Sequence, residues 1–407
     1  MQLEARLLAE EEEELRISKL NCMHEQICLP SGQPDISLEQ SSILHKFDDA
    51  WVLYFPLTDR LLILNATAKI VWDFLVQGLK AHEIASTFAR HFGISDQQAA
   101  RDVAQVLTDL ADEQQASAKA EVEVANIPAA TASVRVVDWN NELADCGAFQ
   151  FGRNRISVLS AVTKLDESFF ARFQHRAIDD DDVDLLEISA SDSAYRLTFR
   201  DRVIAEATTI NRTMWHLVEF LLSLEHPHQS LLAYCHAGAV SRRGRSILMP
   251  GNSGAGKSTL TGFLVAHGFT YLGDDTIAVG DDEFALLPLP TSLSIKTGSW
   301  TLLEPFYPAL PKLATVNRYG RSGRYIDPPG NYEVLSAAAA PSAIVFPAFS
   351  KGAPTQLTPL RPHQSMIRLL EANIRLSGWD AATEDQLARF VRFVEQTPAY
   401  ELSYSEL

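Results

Sequence analysis

The sequence predicts a mixed α/β (α+β) fold, in which a small domain of short strands and helices precedes a larger domain built on a mixed sheet. Three observations carry this expectation. Residues 44–110 follow two short apolar strands with three helical repeats. Residues 245–268 read as strand, glycine-rich loop and helix, and residues 269–275 form a further apolar strand ending in paired carboxylates. The chain has 407 residues, 46% hydrophobic and 21% charged, which is the composition of a folded chain of two or three domains. Its 52 acidic and 35 basic side chains leave a formal charge of −17. A negative field of that size argues against nucleic acid and anionic membrane surfaces as general partners. No apolar run approaches the roughly 20 residues that cross a bilayer. The acidic start is unlike a secretory signal, and four scattered cysteines read as reduced thiols, so a cytoplasmic location is expected.

Residues 1–42 form an acidic extension, with nine acidic and three basic side chains and five consecutive glutamates at 10–14. Its expected state is a solvated, weakly packed segment. Cys22, His24 and Cys28 are of metal-ligand type but lack a second ligand pair at finger spacing, so no metal is assigned to them.

Residues 43–115 form the first domain. Residues 51–55 (WVLYF) and 60–64 (RLLIL) read as strands joined by the turn at 56–59. A helix follows near 67–77, with Ile70, Val71, Phe74 and Leu75 on one face and Asn65 near its start. A second near 81–91 stops at Gly93, and a third opens on a Ser95/Gln98 capping box and buries Val103, Val106, Leu107 and Leu110. Together these make a small winged-helix type of domain. The segment LNATA (64–68) followed by Trp72, then Phe92-Gly93-Ile94 and Asp102-Val103, resembles the PqqD-like family, whose members bind leader segments of peptides destined for modification. The resemblance implies a peptide or protein partner, captured as an extra strand on a sheet edge. A winged-helix piece used only for interaction or dimerisation is the alternative.

Residues 116–150 are expected to be a linker, because 115–134 are rich in Ala, Ser and Thr. The second domain is assigned to 151–407, with strands at 185–189 and 195–199. The acid run at 179–184 lacks the glycine and alternating ligands of a calcium loop and reads as a solvated turn.

The most informative segment is Gly251, Asn252, Ser253, Gly254, Ala255, Gly256, Lys257, Ser258 and Thr259, which fits G-x-x-x-x-G-K-[ST] between a strand at 247–249 and a helix ended by Gly268. Glycines let successive N–H groups face an anion, and the helix start adds its positive dipole end. ATP and Mg2+ are therefore expected, with Lys257 on the β- and γ-phosphates and the Ser258 hydroxyl on the metal. Asp274 and Asp275 end a strand only 17 residues beyond Lys257 and should emerge beside the loop. One can hold magnesium while the other takes a proton from an attacking hydroxyl. His236 lies on a strand that a short turn joins to the loop's strand, and reads either as a core histidine or as a neighbour of the phosphates. From 236 to 325 there are nine basic and six acidic side chains, a locally positive stretch inside an acidic protein.

His236, the loop and Asp274-Asp275 together resemble the HPr kinase family, which phosphorylates a protein serine from ATP. The branch of HPr-kinase-related proteins is closer still, on PLPTSLSIK (288–296) with Gly298-Ser299-Trp300, IVFP (344–347) with Gly352-Ala353-Pro354, and the terminal YELSYSEL (400–407). The resemblance spans about 185–407. It implies an HPr-kinase-like P-loop domain with Asp274 as general base assisted by His236, and Asp275 beside Ser258 on the metal. It also makes a homo-oligomer an open expectation, since HPr kinases assemble as oligomers. Thr259 stands where those kinases have a glutamate, and the arginine-bearing segment of their reverse reaction has no clear copy, which counts against HPr itself and against reversal. Lys296, Arg321 and Arg324 are candidate phosphate or substrate contacts, with solvated surface positions the alternative.

The expected function is an ATP-dependent kinase acting on a Ser or Thr hydroxyl of a peptide or protein recruited by the first domain. A nucleotide-gated peptide-presenting module and a kinase for a small alcohol are the alternatives.

Overall fold

The computed structural model describes residues 42–55, 60–125, 143–162, 169–180, 182–191, 193–252, 254–318, 321–328, 340–376 and 382–406. The acidic extension and the Cys22/His24/Cys28 group lie outside them. The described residues fall in a single compact unit, and the fold is a mixed α/β arrangement of several sheets.

The small domain opens with an antiparallel sheet, β1 (Ile43–Phe47), β2 (Ala50–Phe55) and β3 (Arg60–Leu64), one strand more than expected. Three helices follow: α1 (Ala66–Val76), α2 (Ala81–Phe92) and α3 (Asp96–Ala125). Local chemistry sets their ends. The Asn65 side chain accepts from the Ala68 N–H at 2.8 Å, and Gly93 closes α2 in the left-handed region at φ 65°. Ser95 accepts from the Gln98 N–H at 3.2 Å, but the Gln98 amide turns to Asp102, so only half of the expected capping box forms.

Two expectations for the connection at 116–150 are corrected. α3 continues to Ala125, and a strand begins at Ala144. The alanines, glutamates, glutamines and lysine of 111–125 are strong helix formers, and an alanine-rich composition reads as helix once a helix is already propagating. The boundary at 151 therefore cuts through a strand. That strand, β4 (Ala144–Phe151), joins β5 (Asn154–Ser160), β6 (Asp184–Ala190), β7 (Tyr195–Phe199) and β8 (Arg202–Ala207) in a five-stranded sheet, in sequence order. A 3-10 turn at Phe170–Arg176 and helix α4 (Ile210–Glu225) cover it, and Phe149, Phe151, Phe169, Phe170 and Phe173 are buried between them. The acid run at 179–184 is partnered in part: Asp180 pairs with Arg155 and Asp184 with Arg200.

β9 (Leu231–Cys235) and β10 (Ala237–Arg242) are successive strands that belong to different sheets. β11 (Arg245–Pro250) precedes the glycine-rich loop, α5 (Lys257–Ala266) follows it, and β12 (Thr270–Gly273) ends at the paired aspartates. Next come β13 (Ile277–Gly280), β14 (Leu286–Leu287), β15 (Leu293–Lys296), the single turn α6 (Trp300–Leu303), β16 (Val316–Arg318) and β17 (Arg321–Ile326). The chain closes with β18 (Pro341–Phe349), β19 (Gln356–Leu360), α7 (Pro362–Glu371), β20 (Arg375–Leu376), α8 (Glu384–Gln396) and β21 (Ala399–Tyr404).

The central sheet has the order β12-β10-β11-β18-β21-β19. β11, β18 and β21 run parallel, while β10, β12 and β19 are antiparallel to their neighbours, so the sheet is mixed. α5 packs on one face, burying Leu260 and Val265 against Val240, Met249 and Tyr271. A second core joins Leu232, Ile277, Met366, Leu387 and Phe390 to Phe47, Val52 and Tyr54 of the small domain. The small domain is thus docked through its own sheet. The Tyr54 hydroxyl accepts from the Ala382 N–H at 3.0 Å, and His363 at the start of α7 contacts Asp48 at 3.3 Å. Among the described residues no helix is long and apolar enough to cross a membrane.

Candidate functional site

The glycine-rich loop leaves β11 at Pro250 and enters α5 at Lys257. Gly254 and Gly256 adopt φ of 101° and 94°, conformations that side chains with a Cβ resist. A Cβ on Gly256 would also collide with the Tyr404 hydroxyl, which contacts the Gly256 carbonyl at 3.4 Å. α5 begins with no side-chain cap, so its first N–H groups remain available to an anion. Ser253 lies outside the described residues.

Lys257 is buried, and its Nζ donates to the carbonyls of Gly251 (2.6 Å) and Asn252 (3.1 Å). Burial lowers its pKa from the ordinary lysine value, against the opposing pull of Asp274 and Asp275. Lys296 stands close enough for its charge to act on Lys257. The Thr259 hydroxyl is 2.5 Å from that of Ser299, which ties the first turn of α5 to the turn after β15.

β12 delivers the two aspartates to this place, and they point to different partners. Asp274 is only 2% exposed. It faces Ser258, and its Oδ1 has no hydrogen-bond partner among the described residues. A Cβ on Gly238 of β10 would collide with the Thr261 hydroxyl and meet Asp274 Oδ1 at 3.5 Å, an ordinary contact. Burial, offset by the Ser258 hydroxyl and reinforced by the charge of Asp275, pushes the Asp274 carboxyl up to about 6. Asp275 takes φ 84°, which turns its side chain the other way. Its Oδ2 receives Arg172, and its Oδ1 lies 3.0 Å from His236 Nδ1.

His236, expected beside Asp274, contacts Asp275, and Ser258 faces Asp274. Consecutive residues leaving a strand cannot share one direction, and the left-handed turn at Asp275 completes the separation. His236 is also displaced from its expected strand. It occupies the bend between β9 and β10 where the chain changes sheets, and its Nδ1 donates to the Asp275 carbonyl at 2.8 Å. Both Nδ1 partners are acceptors, so Nδ1 carries a proton, and in the neutral tautomer Nε2 holds the lone pair.

Arg172 was not singled out in the sequence. It belongs to the 3-10 turn at Phe170–Arg176, is buried, and stacks over Phe169 with 5.3 Å to the ring centroid. The only available signal was three basic side chains inside an aromatic run, FFARFQHR (169–176), too much charge for a plain core segment. The remaining candidates differ. Arg324 stacks 3.8 Å above the Trp300 ring and donates to the Leu310 carbonyl at 3.1 Å, so it packs the short sheet of β15, β16 and β17 and is not aimed at the loop. The Arg321 backbone pairs with Arg318, and its side chain lies outside what is described.

Hard oxygen donors suit a small divalent cation, and the Ser258 hydroxyl beside the unpartnered, buried Asp274 oxygen is such a set. Next to it stand an uncapped helix start and a buried lysine, the complement of a polyphosphate.

The first domain, with its three strands and three helices, is of PqqD type. Residues 50–116 match the model of the family described as Coenzyme PQQ synthesis protein D (PqqD). No curated protein matches the chain.

Proposed function

We propose that the chain is an ATP-dependent phosphotransferase with an HPr-kinase-like P-loop domain. It transfers the γ-phosphoryl group to a Ser or Thr hydroxyl of a peptide or protein held by the PqqD-like domain, within a cytoplasmic peptide-modification pathway. The observation that carries the reading is the convergence of Lys257, Ser258, Asp274, Asp275 and His236 at one end of the central sheet. The loop N–H groups and Lys257 hold the phosphates. Ser258 and Asp274 would hold Mg2+, which supplies positive charge to the β- and γ-phosphates. The acceptor oxygen forms a bond to the γ-phosphorus as the bond from that phosphorus to the β,γ-bridging oxygen breaks, and ADP leaves. The hydroxyl proton passes to His236 Nε2, and Asp275 steadies the imidazolium through Nδ1. Arg172 holds Asp275 in place from the opposite side.

Peptide capture is supported by the family match and by β3, an outer strand of the small sheet paired with β2. Holding the substrate on the same chain raises its effective concentration at the phosphates. The test is the purified chain with Mg-ATP and a short peptide encoded beside its gene. Phosphate should appear on the peptide, and His236→Gln or Asp275→Asn should cut transfer about a hundredfold while leaving ATP binding intact. No transfer to any neighbouring peptide or hydroxyl compound would sink the kinase reading, and transfer confined to a small alcohol would replace the peptide with that acceptor.

One observation favours the second reading, a nucleotide-gated presenting module: Thr259 stands at the glutamate position and bonds Ser299. ATP binding without turnover, together with peptide affinity that changes with ATP, would select it.

A further inference from the structure

We propose that Phe349, backed by Tyr404, is a platform for a purine base, and that a nucleotide's phosphates extend from it into the glycine-rich loop. This rests on the nucleotide reading above and names the part of the site that would distinguish a nucleotide from a bare polyphosphate. β18 and β21 run parallel to the loop's strand, β11, so their carboxyl ends open on the same sheet edge as the loop. That edge is where open α/β sheets take ligands. Phe349 ends β18 directly opposite Tyr404, which ends β21.

Among the large apolar side chains of β18, Phe349 is the exposed one. Ile344 and Phe346 are 0% and 5% exposed, whereas Phe349 is 49% exposed. A Cβ built on Gly256 would lie 3.5 Å from the Phe349 Cβ, so the Phe349 side chain starts beside the last glycine of the loop. Tyr404 meets the Phe349 ring edge-on, with centroids 5.6 Å apart at 73°, and its hydroxyl contacts the Gly256 carbonyl. A T-shaped contact takes up at most one face of Phe349, and the 49% exposure of the residue leaves ring surface for a stacking partner. The rim behind it is tied down, since Ser350 N–H donates to the Tyr404 carbonyl at 2.9 Å and Ser405 Oγ to the Ala353 carbonyl at 2.8 Å. A half-exposed aromatic ring, held edge-on by another and adjoining a phosphate cradle, fits a planar base, since every base offers a π-face.

The test compares Mg-ATP with Mg-tripolyphosphate, binding each to the full chain by calorimetry. Wild type should bind ATP more tightly than tripolyphosphate. Phe349→Ala should weaken ATP about tenfold and leave tripolyphosphate unchanged, while Phe349→Trp should keep ATP affinity. An unchanged ATP affinity in Phe349→Ala would overturn the platform. An equal loss of tripolyphosphate would overturn it too, by making the residue a prop of the loop. Wild type that binds both ligands equally overturns the platform and spares the phosphate cradle, and wild type that binds neither overturns both.

Discussion

Burial pushes the Asp274 carboxyl from an ordinary 3.8 up to about 6 because its charge has left water while one oxygen has gained no partner. The folded value lies above the unfolded one, so this group favours folding least at high pH. Its contribution is fully present below about 3.8 and is lost as pH rises through about 6. The loss is on the order of 3 kcal/mol at pH 7. Asp274→Asn, which does not titrate, should therefore raise the melting temperature at pH 7 to 8, and the gap from wild type should close as pH falls toward 4. A gap that is constant with pH would show that the carboxylate is not strained. The same proton competes with a cation. Mg2+ affinity of the free protein should fall about tenfold for each pH unit below about 6, measured by titration calorimetry, and Asp274→Asn should bind Mg2+ weakly at every pH. A residue that costs stability and improves ligand binding when charged is the pattern of a functional group.

At the scale of elements, the turn from β11 into α5 shows how a short motif and a distant strand are matched. Gly256 requires φ near 94° and also yields space to Tyr404, which arrives 148 residues later at the end of β21. Gly256→Ala should therefore abolish tripolyphosphate binding. Adding Tyr404→Phe should recover only part of it, because the collision eases while the backbone strain remains. Full recovery would mean that the contact alone, and not the turn, makes glycine necessary. Elements of this local kind were legible in the sequence. The Asn65 cap, the Gly93 stop and the strand-loop-helix around Lys257 are each written within a few residues. What was not legible depends on pairing at long range. β4 reads as linker until β5 is beside it, and Arg172 reads as a stray base until Asp275, 103 residues away, meets it. Asp275 leaves β12 through a left-handed turn at φ 84°, which no side-chain pattern records.

At the scale of the molecule, the PqqD-like domain behaves as part of the larger core. One face of its sheet meets its own helices, where Lys69 lies 5.4 Å from the Trp51 ring. The other face sends Phe47, Val52 and Tyr54, all essentially inaccessible, into the core shared with Leu232, Leu387 and Phe390. Each such side chain is worth about 1.5–3 kcal/mol of burial, so the docking of the domain is comparable to the 5–15 kcal/mol that holds a typical domain together. Unfolding of the two parts should then be coupled. Hydrogen exchange in β2 and in β11 should report the same opening free energy, and denaturant transitions followed in either part should coincide. Tyr54→Phe supplies the sharper check. It removes the hydroxyl that accepts from the buried Ala382 N–H, at a cost of about 1–3 kcal/mol. Both transitions should move by that amount together. If β2 opens early and only its transition shifts, the domain folds as an independent module. The coupling matters for function because α8 lies in the shared core and leads directly into β21, whose last residue rests on Gly256. A peptide that stabilises the small sheet would, through that packing, also stabilise the strand that supports the loop. Nucleotide affinity should therefore rise when peptide is bound, and Tyr54→Phe should reduce that increase.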